Sequence, residues 1–521
     1  MENRGRDRRF YAAEDAPRRT KAILLALVTL LCGVYYLYWL TLTLNTEHPI
    51  LAVLFFAAEA FCFLLFAVAT VDLWRLRFKP PGGLRAEVDY SIDILITACG
   101  EPPAVVAKTL HGVSRIRWSG PLRVYVLDDG ACEEVRRICI QKGFHYFSRR
   151  LEGIPQDNAK SGNLNFGLQR TDGELLLVLD ADQVPKPQIL EVMAGYMKFP
   201  DLAFIQSRQS YLVPREDPFF NLDEVFHGGF QLAMDDRNGV ISCGSGVLYR
   251  RAALQDIGGF ATWNLVEDLT TSYELHSRGW KSFYHPYPLS IGLAPDSVCK
   301  VYRQRGQWAL DTMRLFWYDN PLFKKGLDWR RKLNYLTIGL SYLCSGFVFP
   351  LFFIVPLWTY LTGNNILTCP EWEFVLTRFF YFFSMAAALH YLFKDKRPGK
   401  QFQMLSGLFP VYIWNTVRAL FYPPGRKPAY SANNTRKRRK CRPTGILLMP
   451  QLILFWGNAV LPFVALIFET APPRMIAANA CVSVVALWSL WQVLEAGFSS
   501  NDWDLEMEPR SFYGLDTQTS C

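Results

Sequence analysis

Four short groups of residues in this 521-residue chain combine charge and spacing suited to chemistry: Asp128-Asp129-Gly130, Asp180-Ala181-Asp182, Glu267-Asp268, and Gln304-Arg305-Gly306-Gln307-Trp308. Alternate carboxylates such as Asp180 and Asp182 can aim oxygen ligands at one hard divalent cation, Mg2+ or Mn2+, which neutralises a diphosphate. Residues 158–165 read N-A-K-S-G-N-L-N, where small residues permit close backbone approach and Lys160 offers a point charge to phosphate. Glu267-Asp268 opens a helix-like run, so a carboxylate there either caps the helix or acts as general base toward a hydroxyl. Asp128 and Asp129 close an apolar run, a place where turn and cap residues are as common as ligands. Trp308 offers a face on which a pyranose ring can stack, and it equally suits a bilayer border. All four groups lie between two sets of membrane-length apolar segments, an order that points to sugar-nucleotide chemistry at a bilayer.

The elements that position these groups follow from composition. With 50% hydrophobic, 15% aromatic and 20% charged residues, the chain is too apolar for a soluble domain of this length. Apolar runs at 22–44, 50–74, 333–361, 374–393, 446–468 and 476–496 each reach about the 20 residues that cross a hydrocarbon core. Six spans are expected, the first two forming a hairpin. Basic residues crowd 1–21 and 394–442, whereas the linkers 45–49 and 362–373 carry no Lys or Arg. The positive-inside bias then places both termini and the large middle region in the cytoplasm of a cell with this protein in its plasma (inner) membrane. The formal charge of +9 is explained by the same bias, which excludes a nucleic-acid partner. The 12 Cys include no Cys-x-x-Cys pair, so reduced thiols are expected throughout. Glu59 falls mid-span, where a carboxylate needs a polar packing partner or a wet cavity.

Between the two groups of spans the periodicity changes to short buried runs at 91–97, 122–127, 175–179 and 202–205, the pattern of parallel strands alternating with helices. The expected fold is an α/β nucleotide-binding domain inserted in an α-helical multi-pass membrane domain. Ligands in such sheets collect at the carboxyl ends of the strands, where the Asp groups fall. The divisions are a basic terminus at 1–21, a transmembrane hairpin at 22–82, the α/β domain at 83–296, and amphipathic interfacial helices at 297–332. A channel-forming membrane region follows at 333–497, with an interfacial segment at 394–443, and then a tail at 498–521.

The groups taken in order resemble the processive family-2 glycosyltransferases, most closely the catalytic subunit of bacterial cellulose synthase. Further matches are Ile94 through Pro102, Ala159-Lys160-Ser161-Gly162-Asn163-Leu164-Asn165, Ser242-Cys243-Gly244-Ser245 and Gly292-Leu293-Ala294-Pro295. The resemblance implies a GT-A-like fold for the α/β domain and a hexosyltransferase that polymerises a UDP-sugar, with UDP-glucose the expected donor, into a β-linked glycan such as cellulose. Export would run through its own spans, with an accessory subunit as a further partner. Thr97, Glu101, Asp128, Asp129, Lys160, Asp180, Gln304 and Arg305 would face the donor, and Asp180 and Asp182 the metal. Asp268, in a pair with Glu267, would be the catalytic base; Cys243, Gly244, Ser245 and Trp308 would meet the acceptor. Two departures stand out: Val266 replaces the usual Thr before the carboxylate pair, and Gln307 replaces the usual Arg before the Trp. A donor such as UDP-N-acetylglucosamine, and a scaffold keeping an inactive transferase domain, stay open as alternatives. Residues 430–437 occupy the place of the family's gating loop. About 25 residues follow the last apolar run, so the cyclic di-GMP receptor domain fused to many relatives is not expected.

Overall fold

A computed structural model describes residues 16–73, 84, 86–393, 396–428 and 442–499. The expected gating loop at 430–437 lies outside these residues. Ten strands are described: β1 (Ile92–Ala98), β2 (Leu122–Asp128), β3 (His145–Phe147), β4 (Leu175–Asp180), β5 (Val184–Pro185), β6 (Leu202–Arg208), β7 (Tyr211–Leu212), β8 (Val247–Arg250), β9 (Lys281–Pro288) and β10 (Ser290–Leu293). Seven make one sheet in the order β3-β2-β1-β4-β8-β6-β9; β5, β10 and β7 make a small second one. The four strands read from the sequence all run in one direction. β8 lies antiparallel between β4 and β6, and only four residues long it carries too short an apolar run to stand out. β1 and β4 are buried almost throughout, which is why they read as unbroken apolar runs. Helices pack on both faces: Val106, Leu110 and Ile189 cover one, and Leu164, Leu254 and Leu275 the other.

Among the described residues, six helices are long and apolar enough to cross a membrane: Thr20–Thr43, Pro49–Thr70, Trp329–Thr362, Glu371–Leu392, Met449–Ile467 and Pro473–Phe498. They match the six expected runs, the third beginning four residues earlier than its apolar stretch. The hairpin is tied to the later spans at one end by backbone bonds, Asn45 N–H to Ile366 C=O at 2.9 Å and Thr368 N–H to Thr43 C=O at 2.8 Å. Midway, Glu59 receives the Arg378 guanidinium at 2.6 Å and the Tyr36 hydroxyl at 3.1 Å, which resolves its setting as packing among three spans. Between the α/β domain and the third span runs the helix Val298–Tyr318, with Val301, Ala309 and Leu310 on its buried face. The helices Pro398–Gly407 and Phe409–Ala419 lie between the fourth and fifth spans. Nine described cysteines are free.

Candidate active site

The carboxyl ends of β1, β2 and β4 meet at one edge because their registers align: Thr97 pairs with Asp180 and Ala98 with Asp128. A cleft of about 240 Å³ opens there. Thr97, Glu101, Asp129, Lys160, Asp180, Asp182, Cys243, Glu267, Asp268, Gln304 and Trp308 all line it. Residues separated by more than 200 positions in sequence thus converge on one space. Asp128 does not face it; its carboxylate accepts from the N–H groups of Gly130 and Cys132 and from the Tyr146 hydroxyl, each at 2.8 Å. Those bonds close the turn after β2 and leave the neighbouring Asp129 at the cleft. Asp129 is gripped by Arg149, which also donates to the carbonyls of Asp157 at 2.8 Å and Ala159 at 3.0 Å. Arg149 therefore fixes the start of the helix Ala159–Arg170 that carries Lys160. Gly162 in its first turn is needed for space, since a Cβ would stand 2.1 Å from the Asp157 carbonyl oxygen.

Lys160 is the centre of charge. Its ammonium lies 2.6 Å from Asp180 Oδ1, 3.2 Å from Glu267 Oε1 and 2.7 Å from the Gly244 carbonyl oxygen. Burial opposes that charge, but Asp180 and then Glu267 hold the lysine well above its ordinary range. Gly244, in turn, sits in the left-handed region at φ +77°, and a Cβ there would lie 2.9 Å from Asp268 Oδ2 and 3.0 Å from Lys160 Nζ. Ser245 Oγ accepts from the Asp180 N–H at 2.9 Å. Gly244 and Ser245 thus shape the site from behind, Gly244 against the base and lysine, Ser245 against the strand end.

Glu267 and Asp268 begin the helix Glu267–Ser277, so both carboxylates stand at its positive end. Burial and then the Glu267 charge push Asp268 up to about 8. Burial likewise raises Glu101 to about 7, with Asp182 and Asp180 adding to the shift. A pair of carboxylates with displaced titration in a cleft marks a site for proton transfer. Across the cleft, Trp308 and Gln307 line the wall. Arg305 is turned away, held 3.0 Å from Asp223 and lying 4.7 Å over the Trp308 ring, where it supports the indole from behind. Asp180 and Asp182 offer two oxygen-bearing side chains to the cleft, a donor set that suits a hard cation whose remaining positions are filled by phosphate and water. No cluster of three or more His, Cys, Asp or Glu suited to a metal occurs among the described residues.

Several lining residues carried no signal in the sequence. Gln183 enters the cleft from the turn after β4, Gln209 from just past the end of β6, and Tyr211 from the start of β7. Gln183 Nε2 donates to Gln209 Oε1 at 3.2 Å, and Gln209 Nε2 to the carbonyls of Ser245 at 2.9 Å and Cys243 at 3.2 Å. Gln206, fully buried, accepts from the Cys243 N–H at 2.7 Å. Neutral amides announce nothing by charge; their placement after strand ends was the available sign.

Residues 91–317 match the family described as Glycosyltransferase like family 2. The α/β domain is a family-2 glycosyltransferase domain. Among curated proteins, the chain is 31% identical over 378 residues to cellulose synthase 1 of Komagataeibacter xylinus, covering 69% of this chain and 24% of that protein. It is 33% identical over 350 residues to the cellulose synthase catalytic subunit (UDP-forming) of Pseudomonas fluorescens strain SBW25, covering 63% and 46%. A second Komagataeibacter xylinus protein, cellulose synthase 1 catalytic subunit (UDP-forming), is 28% identical over 518 residues, 94% of this chain and 68% of that one. The chain thus spans a quarter to about two thirds of these relatives. Among solved structures, a mannosyltransferase from Pyrobaculum calidifontis in complex with GDP-Man and Mn2+ superposes with a TM-score of 0.50 at 15% identity, covering 71% of this chain and 99% of that one. That likeness is one of fold, and it extends beyond the α/β domain.

Proposed function

We propose that this protein is a membrane-embedded, processive, inverting glycosyltransferase that polymerises a UDP-sugar, UDP-glucose first among candidates, into a β-linked glycan. The observation that carries the reading is the convergence of Lys160, Asp180, Asp182, Glu267, Asp268 and Trp308 on one cleft beside a bundle of apolar helices. The names of the curated relatives agree with it. The domain and both termini face the cytoplasm, by the distribution of basic residues.

The chemistry follows from position. A divalent cation held by Asp180 and Asp182 supplies charge neutralisation for the donor diphosphate when bound. Lys160 would give up its contact with Asp180 to meet the leaving diphosphate, stabilising charge where it develops. Asp268 accepts the proton of the acceptor hydroxyl, and Glu267 stays close to Lys160 and keeps Asp268 basic. Trp308 stacks on the acceptor sugar, and Cys243 lines the same cleft. Attack from the face opposite the leaving group inverts the anomeric carbon, so an α-linked donor gives a β-linked product. The neutral Gln307 removes a cation from the donor wall and makes the sugar nucleotide itself a matter for measurement. In a test, Asp268→Asn should keep UDP affinity while lowering chain extension by about 10²–10⁴-fold. Unchanged polymer output would remove Asp268 from the role of base.

A further inference from the structure

The loop that delivers Glu267 and Asp268 to the cleft is held from outside the α/β domain. On the helix Val298–Tyr318, Asp311 and Arg314 form a pair at 3.2 Å, one turn apart and both almost wholly buried. Asp311 Oδ2 accepts the backbone N–H of Leu265 at 3.1 Å and of Val266 at 2.7 Å, the two residues that precede the catalytic pair. Those N–H groups stand at the start of the helix Glu267–Ser277, where no earlier turn of that helix can satisfy them. Val266 itself, the residue that replaces the expected Thr, has no side-chain hydrogen bond to offer at that position.

Arg314 is saturated. Nη1 donates to Asn264 Oδ1 at 2.7 Å, and Nη2 to the Trp263 carbonyl at 3.1 Å, both in the same loop. From its other side, Nε donates to the Tyr422 carbonyl at 2.8 Å, and Nη2 to the carbonyls of Pro423 at 3.4 Å and Arg426 at 3.2 Å. These belong to the strap that leaves the helix Phe409–Ala419. One residue further along, Lys427 donates to Asn158 Oδ1, directly before the helix that carries Lys160. A single guanidinium therefore joins the base loop, the interfacial helix and a strap that reaches the donor side. Its planar fork of five N–H groups suits this work, whereas an ammonium offers three donors from one point.

We infer that Asp311 and Arg314 are positioning residues that set the orientation of Glu267 and Asp268 and couple the base loop to the strap at 420–428. The inference rests on the proposed transferase reading. Neither side chain lines the cleft, so their effect passes through backbone they hold rather than through contact with sugar or nucleotide.

The experiment uses full-length protein in nanodiscs, wild type beside Arg314→Lys and Asp311→Asn. Sugar incorporation from labelled UDP-glucose with Mn2+ is normalised to sites counted with a fluorescent UDP analogue. Both variants should lower kcat per UDP-binding site by about tenfold or more, with KM for the donor within about threefold, because a shift well under 1 Å in a catalytic group acts on the chemical step. A purely structural role would reduce the number of UDP-binding sites and leave turnover per site unchanged, and that result overturns the inference. Hydrogen–deuterium exchange on the same proteins gives a reading independent of activity. Exchange should rise together in 262–268 and 420–428 while β1 and β4 stay protected. Unchanged exchange in either segment also overturns it. Wild type that incorporates no sugar from UDP-glucose, nor from UDP-N-acetylglucosamine or GDP-mannose offered in its place, would instead refute the transferase reading, leaving exchange to decide the coupling.

Discussion

Gly244→Ala is the sharpest probe of how tightly the cleft is assembled. The residue lies at φ +77°, so an alanine would bear about 1–2 kcal/mol of left-handed backbone strain. Its Cβ would stand 2.9 Å from Asp268 Oδ2 and 3.0 Å from Lys160 Nζ, against ordinary contacts that begin at 3.4 Å. Both obstacles are ends of side chains, so the fold survives and the side chains retreat, the carboxylate by about 0.5 Å. A catalytic group displaced by that amount leaves the range in which geometry stays productive, and a 1 Å error costs roughly 10²-fold. The expected outcome is a kcat about 10- to 100-fold lower, with a melting temperature lowered by only a few degrees. The assay is incorporation of labelled sugar by folded protein, monodisperse on size exclusion, at saturating donor. Near-wild-type kcat would show that Asp268 and Lys160 need not occupy the positions seen, and would refute the geometric argument for both.

The acid limb of kcat/KM should centre near pH 8, because Asp268 must lose its proton to act and is raised to about 8 by burial and by Glu267. Glu267→Gln removes the like charge, favours ionised Asp268 and should move that limb to lower pH; a limb unmoved would separate the two carboxylates. Glu59→Gln should destabilise the detergent-solubilised protein by about 3–5 kcal/mol, because it leaves the buried Arg378 without its charge partner. Glu59→Leu with Arg378→Met should recover most of that loss. A double variant as unstable as the single one would show that the pair is not the source.

Much of this arrangement was legible in the sequence because its physics is local. Membrane spans and buried strands declare themselves as unbroken apolar runs, and the registers of β1, β2 and β4 then oblige Asp128, Asp129 and Asp180 to meet. Which of two adjacent carboxylates faces the cleft is decided by the turn, and only the bonds from Gly130, Cys132 and Tyr146 show that Asp128 faces inward. Likewise, Arg305 and Gln307 look interchangeable as wall residues until Asp223 is seen to draw Arg305 away. Strand β8, Gln183, Gln209, Asp311 and Arg314 depend on contacts between distant segments. No period or charge pattern along the chain reports such contacts.

Transfer and polymerisation of a nucleotide-activated sugar at the cleft can be measured directly. Purified protein in nanodiscs with Mg2+ or Mn2+ should be offered labelled UDP-glucose, UDP-N-acetylglucosamine and GDP-mannose separately, and any product digested with linkage-specific β-glycanases. Metal-dependent polymer from a UDP-sugar, degraded by a β-specific enzyme and absent with Asp268→Asn, is the predicted result. Release of no sugar from any donor, or equal product from Asp268→Asn, would contradict it.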